Sequence, residues 1–416
     1  MNFNDTPAEA EFRKEARAFL EVNARRIMPG QTTSRTRDRD AEVIKDAKAW
    51  QAKKAKAGFV AITWPKAVGG RGGTPIQQII YAQEEAQFVT PPGVFDIGLG
   101  MCIPTLIKHG KPEHAARYVK PALMGEEIWC QLFSEPVAGS DVAGIRTKAV
   151  RDGDGWVVNG QKVWTTGAHF SDFGLLLVRT NPDVPKHQGL TMFFLDMKSP
   201  GVEARPIKQV SGGSEFNEVF FTDVRIPDSQ RLGKEGEGWT VALTTLMNER
   251  LAVGIATGIL GVDELVTLAR DSEIDGQPAI RNGAVRDKIA NFFVESEGLK
   301  YTKYRMWTAL SRGETPGPQS SINKVVSARL MQDLGSLSME LMGEAGLVAD
   351  QGPGNGAYQR QWLGSAGFRI AGGTDEVLRN IIAERVLGLP GDIRVDKDGT
   401  FNEIEAATAK KRAKRG

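Results

Sequence analysis

Between about residues 126 and 233 the hydrophobic pattern changes from a helical period to short strand-like stretches, and after 233 it changes back. This order of helical, β and helical zones limits the fold more than any other feature. A doubly wound α/β chain alternates strand and helix throughout, so a Rossmann-type fold is excluded. The string Gly352-Pro353-Gly354-Asn355-Gly356 does not restore one. It follows a helical pattern and carries proline where the nucleotide fingerprint turns into a helix, so it reads as a loop. Four parts result: a helical domain over 1–125, a β domain over 126–233, a helical bundle over 234–390 and a basic polar tail over 391–416. The expected fold class is α+β multidomain, with a small antiparallel barrel or sandwich between two helical domains.

Local signals fill in these zones. Thr6-Pro7-Ala8-Glu9 is a capping box with proline at the first helical position. Phe12, Ala16, Phe19 and Leu20 then form one helical stripe. In the β zone, Gly155–Asn159 and Gln161–Trp164 flank an Asn159-Gly160 turn signal, which predicts a hairpin. Further short strands are expected at 175–178, 190–195, 202–206 and 219–221. Helices are expected over 237–270, 283–312, 321–345 and 366–387, as in a helical bundle. The tail, ending Lys410-Lys411-Arg412-Ala413-Lys414-Arg415, reads as solvated and mobile.

Composition excludes several functions. A net charge of +2 gives no reason to expect nucleic acid or an anionic membrane as partner. No apolar run reaches the roughly 18 residues of a membrane span. Cys102 and Cys130 lack metal-ligand spacing and suit a reducing compartment, and the four histidines are scattered, so no metal is expected. With no targeting pattern before Thr6, a cytoplasmic protein is expected.

Three motifs carry a resemblance. Gln131-Leu132-Phe133-Ser134-Glu135-Pro136-Val137-Ala138-Gly139-Ser140-Asp141, then Asn159-Gly160-Gln161-Lys162-Val163-Trp164-Thr165-Thr166-Gly167-Ala168, and Gly372-Gly373-Thr374-Asp375-Glu376-Val377 near the end resemble signatures of the acyl-CoA dehydrogenase family. The likeness runs from about residue 3 to 390. It implies FAD as cofactor and an acyl-CoA thioester as substrate. On this resemblance Ser134 and the Phe133 backbone would bond the flavin pyrimidine edge, beside Gln131. Trp164 would lie against the isoalloxazine, with Thr166 near N5. Gly139 and Ser140 would meet the pyrophosphate, where small side chains let N–H groups approach phosphate; Ser140 would also contact substrate. Thr374 and Glu376 would serve the adenine end, in a site that a neighbouring subunit usually completes.

The family reaction removes an α-proton while the β-hydride leaves for the flavin, so it needs a base and donors for the thioester oxygen. The usual base directly precedes Gly-Thr in the last motif; here that position is Gly372. Its backbone N–H can still donate to the thioester oxygen. In the long-chain and isovaleryl-type branches the base stands in the first bundle helix, directly before an arginine. Glu249-Arg250 matches that arrangement, with Glu249 as base and Arg250 as a contact to CoA or the local loop. Glycine at 372 leaves room near the reacting carbons, so branched, bulky or polycyclic acyl groups are expected.

The chain also departs from the family. Glu340 stands where glutamine is usual, Glu344 replaces a glycine, and 275–281 reads as a loop in place of an Arg-x-x-Phe-Gly segment. The residues that hold the adenosine therefore stay open. The expected electron acceptor is an electron-transfer flavoprotein, and the expected assembly a homotetramer or a heterotetramer. Two other readings share the fold: a non-catalytic subunit of a heterotetramer, and an acyl-CoA oxidase or flavin monooxygenase.

Overall fold

A computed structural model of the chain describes residues 4–28, 40–253, 260–314, 317–348, 353–393, 396 and 399–413, with the backbone alone for 249–253, 310, 319, 353, 355 and 412. The described helices are, in chain order, α1 (Pro7–Asn23), α2 (Ala41–Lys56), α3 (Pro75–Glu85), α4 (Ile103–His109), α5 (Pro112–Leu123), α6 (Gly238–Val253), α7 (Val262–Asp271), α8 (Gly283–Ser311), α9 (Ser321–Met342), α10 (Ala357–Phe368), α11 (Asp375–Arg385) and α12 (Phe401–Ala413). The main sheet comprises β1 (Trp129–Leu132), β2 (Lys148–Asp152), β3 (Gly155–Thr166), β4 (Phe173–Arg179), β5 (Leu190–Asp196), β6 (Val202–Pro206), β7 (Phe216–Pro227) and β8 (Arg231–Leu232). None of these helices is long and apolar enough to cross a membrane, among the described residues.

Contacts divide the chain into two compact units. The first holds α1, α3 and α7 to α11. Its α1 begins with the expected capping box: Glu9 N–H donates to Thr6 Oγ1 at 3.3 Å, and Thr6 N–H donates to Glu9 Oε2 at 2.7 Å. Phe12, Ala16 and Leu20 are buried, while Phe19 is half-buried. Glu84 of α3 is buried and accepts from Arg13 at 3.1 Å and Arg17 at 2.8 Å. In the bundle, α7, α8, α9 and α10 share a core that includes Leu268, Ile289, Leu334 and Tyr358. A Cβ on Gly335 of α9 would lie 3.1 Å from the Trp362 backbone of α10, so glycine is what lets these helices approach.

The second unit holds α2, α4, α5, α6, α12 and the sheet. Strand order is β8-β5-β4-β2-β3-β7-β6, and β1 pairs with β4. Pairing is antiparallel except that β1, and one residue of β2, run parallel to β4. The centre of the sheet is buried on both faces. Leu175 and Leu177 face a core that includes Leu106 of α4, Val119 of α5 and Val241 of α6, while Leu176 and Val178 face a second core with Trp156 and Val219. This is why β4 and β5 read as nearly continuous apolar runs.

Four local expectations change. Asn159-Gly160 is not a turn: β3 runs through it as one strand of 12 residues. Both flanks pair with β7, with a register shift between Val158 and Gly160. A Cβ on Gly160 would sit 2.5 Å from Thr147 Oγ1, so the glycine marks a bulge and a close approach. The hairpin turn lies earlier, at Gly153-Asp154 between β2 and β3, where Gly153 has φ 62°. The helix expected over 237–270 is described as α6 and α7, separated at Gly261, whose backbone is extended at the start of α7. The helix expected over 366–387 is the end of α10, a Gly372-Gly373 turn at φ 68° and 92°, and α11 capped by Thr374. Finally, the tail is not free: α12 packs on the β domain. Thr400 and Glu403 form a second capping box, with Thr400 N–H donating to Glu403 Oε2 at 2.8 Å and Glu403 N–H to Thr400 Oγ1 at 3.3 Å. Phe401 is 8% exposed.

The two histidines of this unit's helices make its stability pH-dependent. Burial holds His109 and His114 below the usual imidazole value. His109 Nε2 lies 2.8 Å from Thr244 Oγ1, and His114 Nδ1 accepts from Lys111 N–H at 3.2 Å. The folded pKa of each is depressed, so their contribution is complete above the unfolded value of about 6.5 and is lost as pH falls below it. The urea midpoint is expected to drop between pH 7 and 5.5, and His114→Gln is expected to flatten that drop.

Candidate active site

The segment from Phe133 to Thr147, which joins β1 to β2, carries four of the nine expected cofactor contacts: Phe133, Ser134, Gly139 and Ser140. It is fixed from below by two buried cations. Lys162 of β3 has a side chain 0% exposed; its Nζ donates to the Phe133 carbonyl at 2.9 Å and to Glu135 Oε1 at 2.8 Å. Glu135 also accepts from the backbone N–H groups of Arg146 at 2.6 Å and Thr147 at 2.9 Å. Burial pushes the Glu135 carboxyl up, but Lys162 and these donors outweigh it and hold it below the usual range. Burial brings Lys162 down to about 8. Farther along, Arg179 of β4 donates to the carbonyls of Ala143 at 2.6 Å, Ile145 at 3.0 Å and Lys186 at 3.1 Å.

Between these anchors the segment turns tightly at Pro136-Val137, where Glu135 and Ala138 exchange backbone hydrogen bonds of 3.0 Å. Gly139 and Ser140 follow on the exposed side, and a Cβ on Gly139 would meet nothing within 4 Å. Ser134 is half-buried, and its carbonyl accepts from Val163 N–H at 2.9 Å. Phe133 is buried; Gln131 sits in β1 opposite Leu175 of β4.

Trp164 is the most telling residue. Simple alternation along β3 from the buried Trp156, Val158 and Lys162 would put it inside. A second register shift, between Lys162 and Thr165, reverses the sides. Trp164 takes φ 61°, a left-handed conformation that a bulky residue adopts only where its surroundings impose it. The indole is 58% exposed, edge-on to Phe216, while Thr165 is buried. Two residues on, Thr166 lines a small recess with Gly93, Trp129, Phe170 and Glu215. Trp129 Nε1 is buried without a hydrogen-bond partner among the described residues, its ring packed against Tyr118, Phe173 and Phe194.

In the other unit, the C-terminal motif is also held by charge. Asp375 is 2% exposed and is bonded by Arg369 Nε; Lys324 Nζ donates to the Gly373 carbonyl and lies 3.6 Å from Asp375. Thr374 Oγ1 accepts from Val377 N–H at 3.2 Å, so it caps α11; Glu376 is exposed in the first turn. Glu340 is exposed and pairs with Lys288 at 2.9 Å, and Glu344 is exposed. Glu249 belongs to α6, but its side chain and that of Arg250 lie outside the described residues.

The unit that contains the sheet thus holds Gln131 on β1, Phe133, Ser134, Gly139 and Ser140 on the loop that follows it, and Trp164 and Thr166 on β3. An exposed flat indole and an open small-residue turn fit a ligand with a flat ring and a charged diphosphate. FAD is such a ligand. The anchors Lys162, Glu135, Arg179 and Lys324 are not singled out by the sequence. A lysine two residues before an exposed tryptophan in a β pattern gives no sign that it is buried.

Residues 6–126, 130–224 and 236–387 match the models for the acyl-CoA dehydrogenase N-terminal domain, middle domain and C-terminal domain. The chain belongs to the acyl-CoA dehydrogenase family, the FAD-dependent oxidoreductases of acyl-CoA thioesters. Acyl-CoA dehydrogenase FadE34 of Mycobacterium tuberculosis is 40% identical over 339 residues, a match to 81% of this chain and 45% of that protein. The chain thus spans under half of FadE34. Among solved structures, the Tcur3481-Tcur3483 steroid ACAD is similar with TM-score 0.77 and 25% identity, over 94% of this chain and 100% of that one. The ChsE4-ChsE5 complex from Mycobacterium tuberculosis is similar with TM-score 0.76 and 28% identity, again over 94% and 100%.

Proposed function

We propose that the chain oxidises the Cα–Cβ bond of an acyl-CoA thioester to the trans-2-enoyl-CoA, with Glu249 as the base. The observation that carries this reading is Gly372-Gly373 at φ 68° and 92°. The position where the family most often places its base is a left-handed glycine turn, which supplies a backbone N–H and no carboxylate. The proton must go elsewhere. We assign it to Glu249, which stands directly before Arg250 in α6.

In this reading FAD, when bound, takes the β-hydride. The chain's own residues do the rest. Glu249 takes the α-proton, and the Gly372 N–H donates to the thioester oxygen as enolate charge builds there. Ser134 and the Phe133 backbone hold the pyrimidine edge, with Gln131 beside it. Trp164 covers the ring, Thr166 stands near N5, and Gly139 and Ser140 take the diphosphate. Thr374 and Glu376 serve the adenine end, and Arg250 holds the CoA or its loop.

The substrate we infer is a branched or bulky acyl-CoA, polycyclic side chains included. A glycine at 372 removes a side chain beside the reacting carbons, and the similarity to a steroid ACAD supports the same size class. We infer a cytoplasmic, multi-subunit enzyme that passes its electrons to an electron-transfer flavoprotein. A homotetramer is the simplest assembly. The departures at Glu340 and Glu344, with the likeness to a two-component complex, favour an unlike partner as the second reading.

The test is anaerobic flavin bleaching by a panel of acyl-CoA thioesters. Branched and polycyclic thioesters are expected to bleach the flavin faster than butyryl-CoA. Turnover limited to short straight chains would sink the substrate assignment, and rapid peroxide formation in air would point to an oxidase.

A further inference from the structure

We infer that the C-terminal helix α12 is a clasp that positions the segment 138–147 for cofactor binding, with Phe401 and Glu405 as positioning residues. The inference rests on the reading of that segment as flavin-facing. All three family matches stop at or before residue 387, so α12 lies outside them.

Three contacts lead from α12 and the turn before it to the segment. The Phe401 ring covers the Arg179 guanidinium, with the cation 3.6 Å from the ring centroid. That guanidinium holds the Ala143, Ile145 and Lys186 carbonyls, so Phe401 closes off from water the group that fixes the loop. A cation against an aromatic face gains most where it is desolvated. Glu405 pairs with the Arg146 guanidinium. The Arg146 backbone N–H in turn donates to Glu135, the partner of Lys162. Lys186 is 8% exposed and donates to both oxygens of Asp141, at 2.8 and 2.9 Å, while also bonding Asp396. Asp141 directly follows Ser140.

The clasp is itself well seated. Phe401 N–H donates to the Val184 carbonyl at 3.0 Å and Asn402 N–H to the Pro182 carbonyl at 3.1 Å. Asn402 Nδ2 donates to Asp183 Oδ1 at 2.7 Å. The helix therefore joins the 139–147 and 181–187 loops, and the cofactor turn lies at one end of that junction.

The experiment is FAD titration of apoprotein, followed by flavin fluorescence without substrate. It compares the full chain, a chain ending at Gly391, Phe401→Ala and Phe401→Trp. Loss of the clasp is expected to weaken FAD roughly tenfold, the effect of one desolvated cation–ring contact and its ion pair. Phe401→Trp is expected to restore affinity, because the ring over Arg179 is kept. A role in folding alone would lower the melting temperature of the apoprotein but leave the dissociation constant of the folded fraction unchanged; that result overturns the inference. If the truncated chain is insoluble, Phe401→Ala alone decides by the same readout. Failure of the full chain to bind FAD would instead overturn the proposed function.

Discussion

Replacing Glu249 by glutamine is expected to give a protein that stays yellow and is no longer bleached by acyl-CoA. Glutamine keeps the size and hydrogen-bonding capacity of the side chain but cannot accept a proton. A positioned general base contributes about 10²- to 10⁴-fold, so flavin reduction should slow by that factor at saturating substrate. FAD should stay bound, because every contact assigned to the flavin ring and diphosphate lies on the 131–147 segment and on β3, none on α6. Substrate should still bind, so KM should change much less than the rate. Glu249→Asp retains a carboxylate one methylene short and is expected to fall between the two. Bleaching of Glu249→Gln at the wild-type rate would remove Glu249 from the reaction. A variant that is colourless would show that α6 supports the cofactor, not the chemistry.

How far the sequence discloses these features depends on how local each one is. The capping box at Thr6-Glu9 is complete within four residues and is legible. The one at Thr400-Glu403 has the same pattern and is hidden by the charge of the tail around it. Asn159-Gly160 has the composition of a hairpin turn, but a turn needs its two flanks to pair with each other. Here both flanks pair with β7, and the glycine is required by Thr147 from the segment on the other side. That information is not in the dipeptide. The same holds for Trp164. Its type is readable, and a flavin contact follows from the motif around it; its exposure is set by a register shift that no period-2 pattern predicts. The order of the three zones is readable because each is long and its hydrophobic period differs from its neighbours. Interior cations are not, because burial of a lysine depends on a carboxylate 27 positions away.

That lysine carries the second large effect. Lys162→Met is expected to cost about 3–5 kcal/mol of stability, because it leaves the buried Glu135 carboxylate with backbone donors but no countercharge. It also removes the donor on the Phe133 carbonyl, directly beside the proposed flavin edge. Two losses are thus combined, and a double variant separates them. Lys162→Met with Glu135→Gln removes both charges, so part of the stability should return; the new side chain has one amide oxygen, which replaces only one of the two carboxylate acceptors used by the Arg146 and Thr147 N–H groups. FAD affinity should stay low, because nothing then holds the Phe133 carbonyl. Recovery of affinity together with stability would make Lys162 a folding residue only. pH gives an independent arm. The folded Glu135 pKa is depressed, so its contribution is complete above the unfolded value of about 4.3 and is lost as pH falls through the folded value. The wild-type urea midpoint should therefore fall below about pH 4.3, and the double variant, which has no carboxylate at 135 to protonate, should lose that part of the fall.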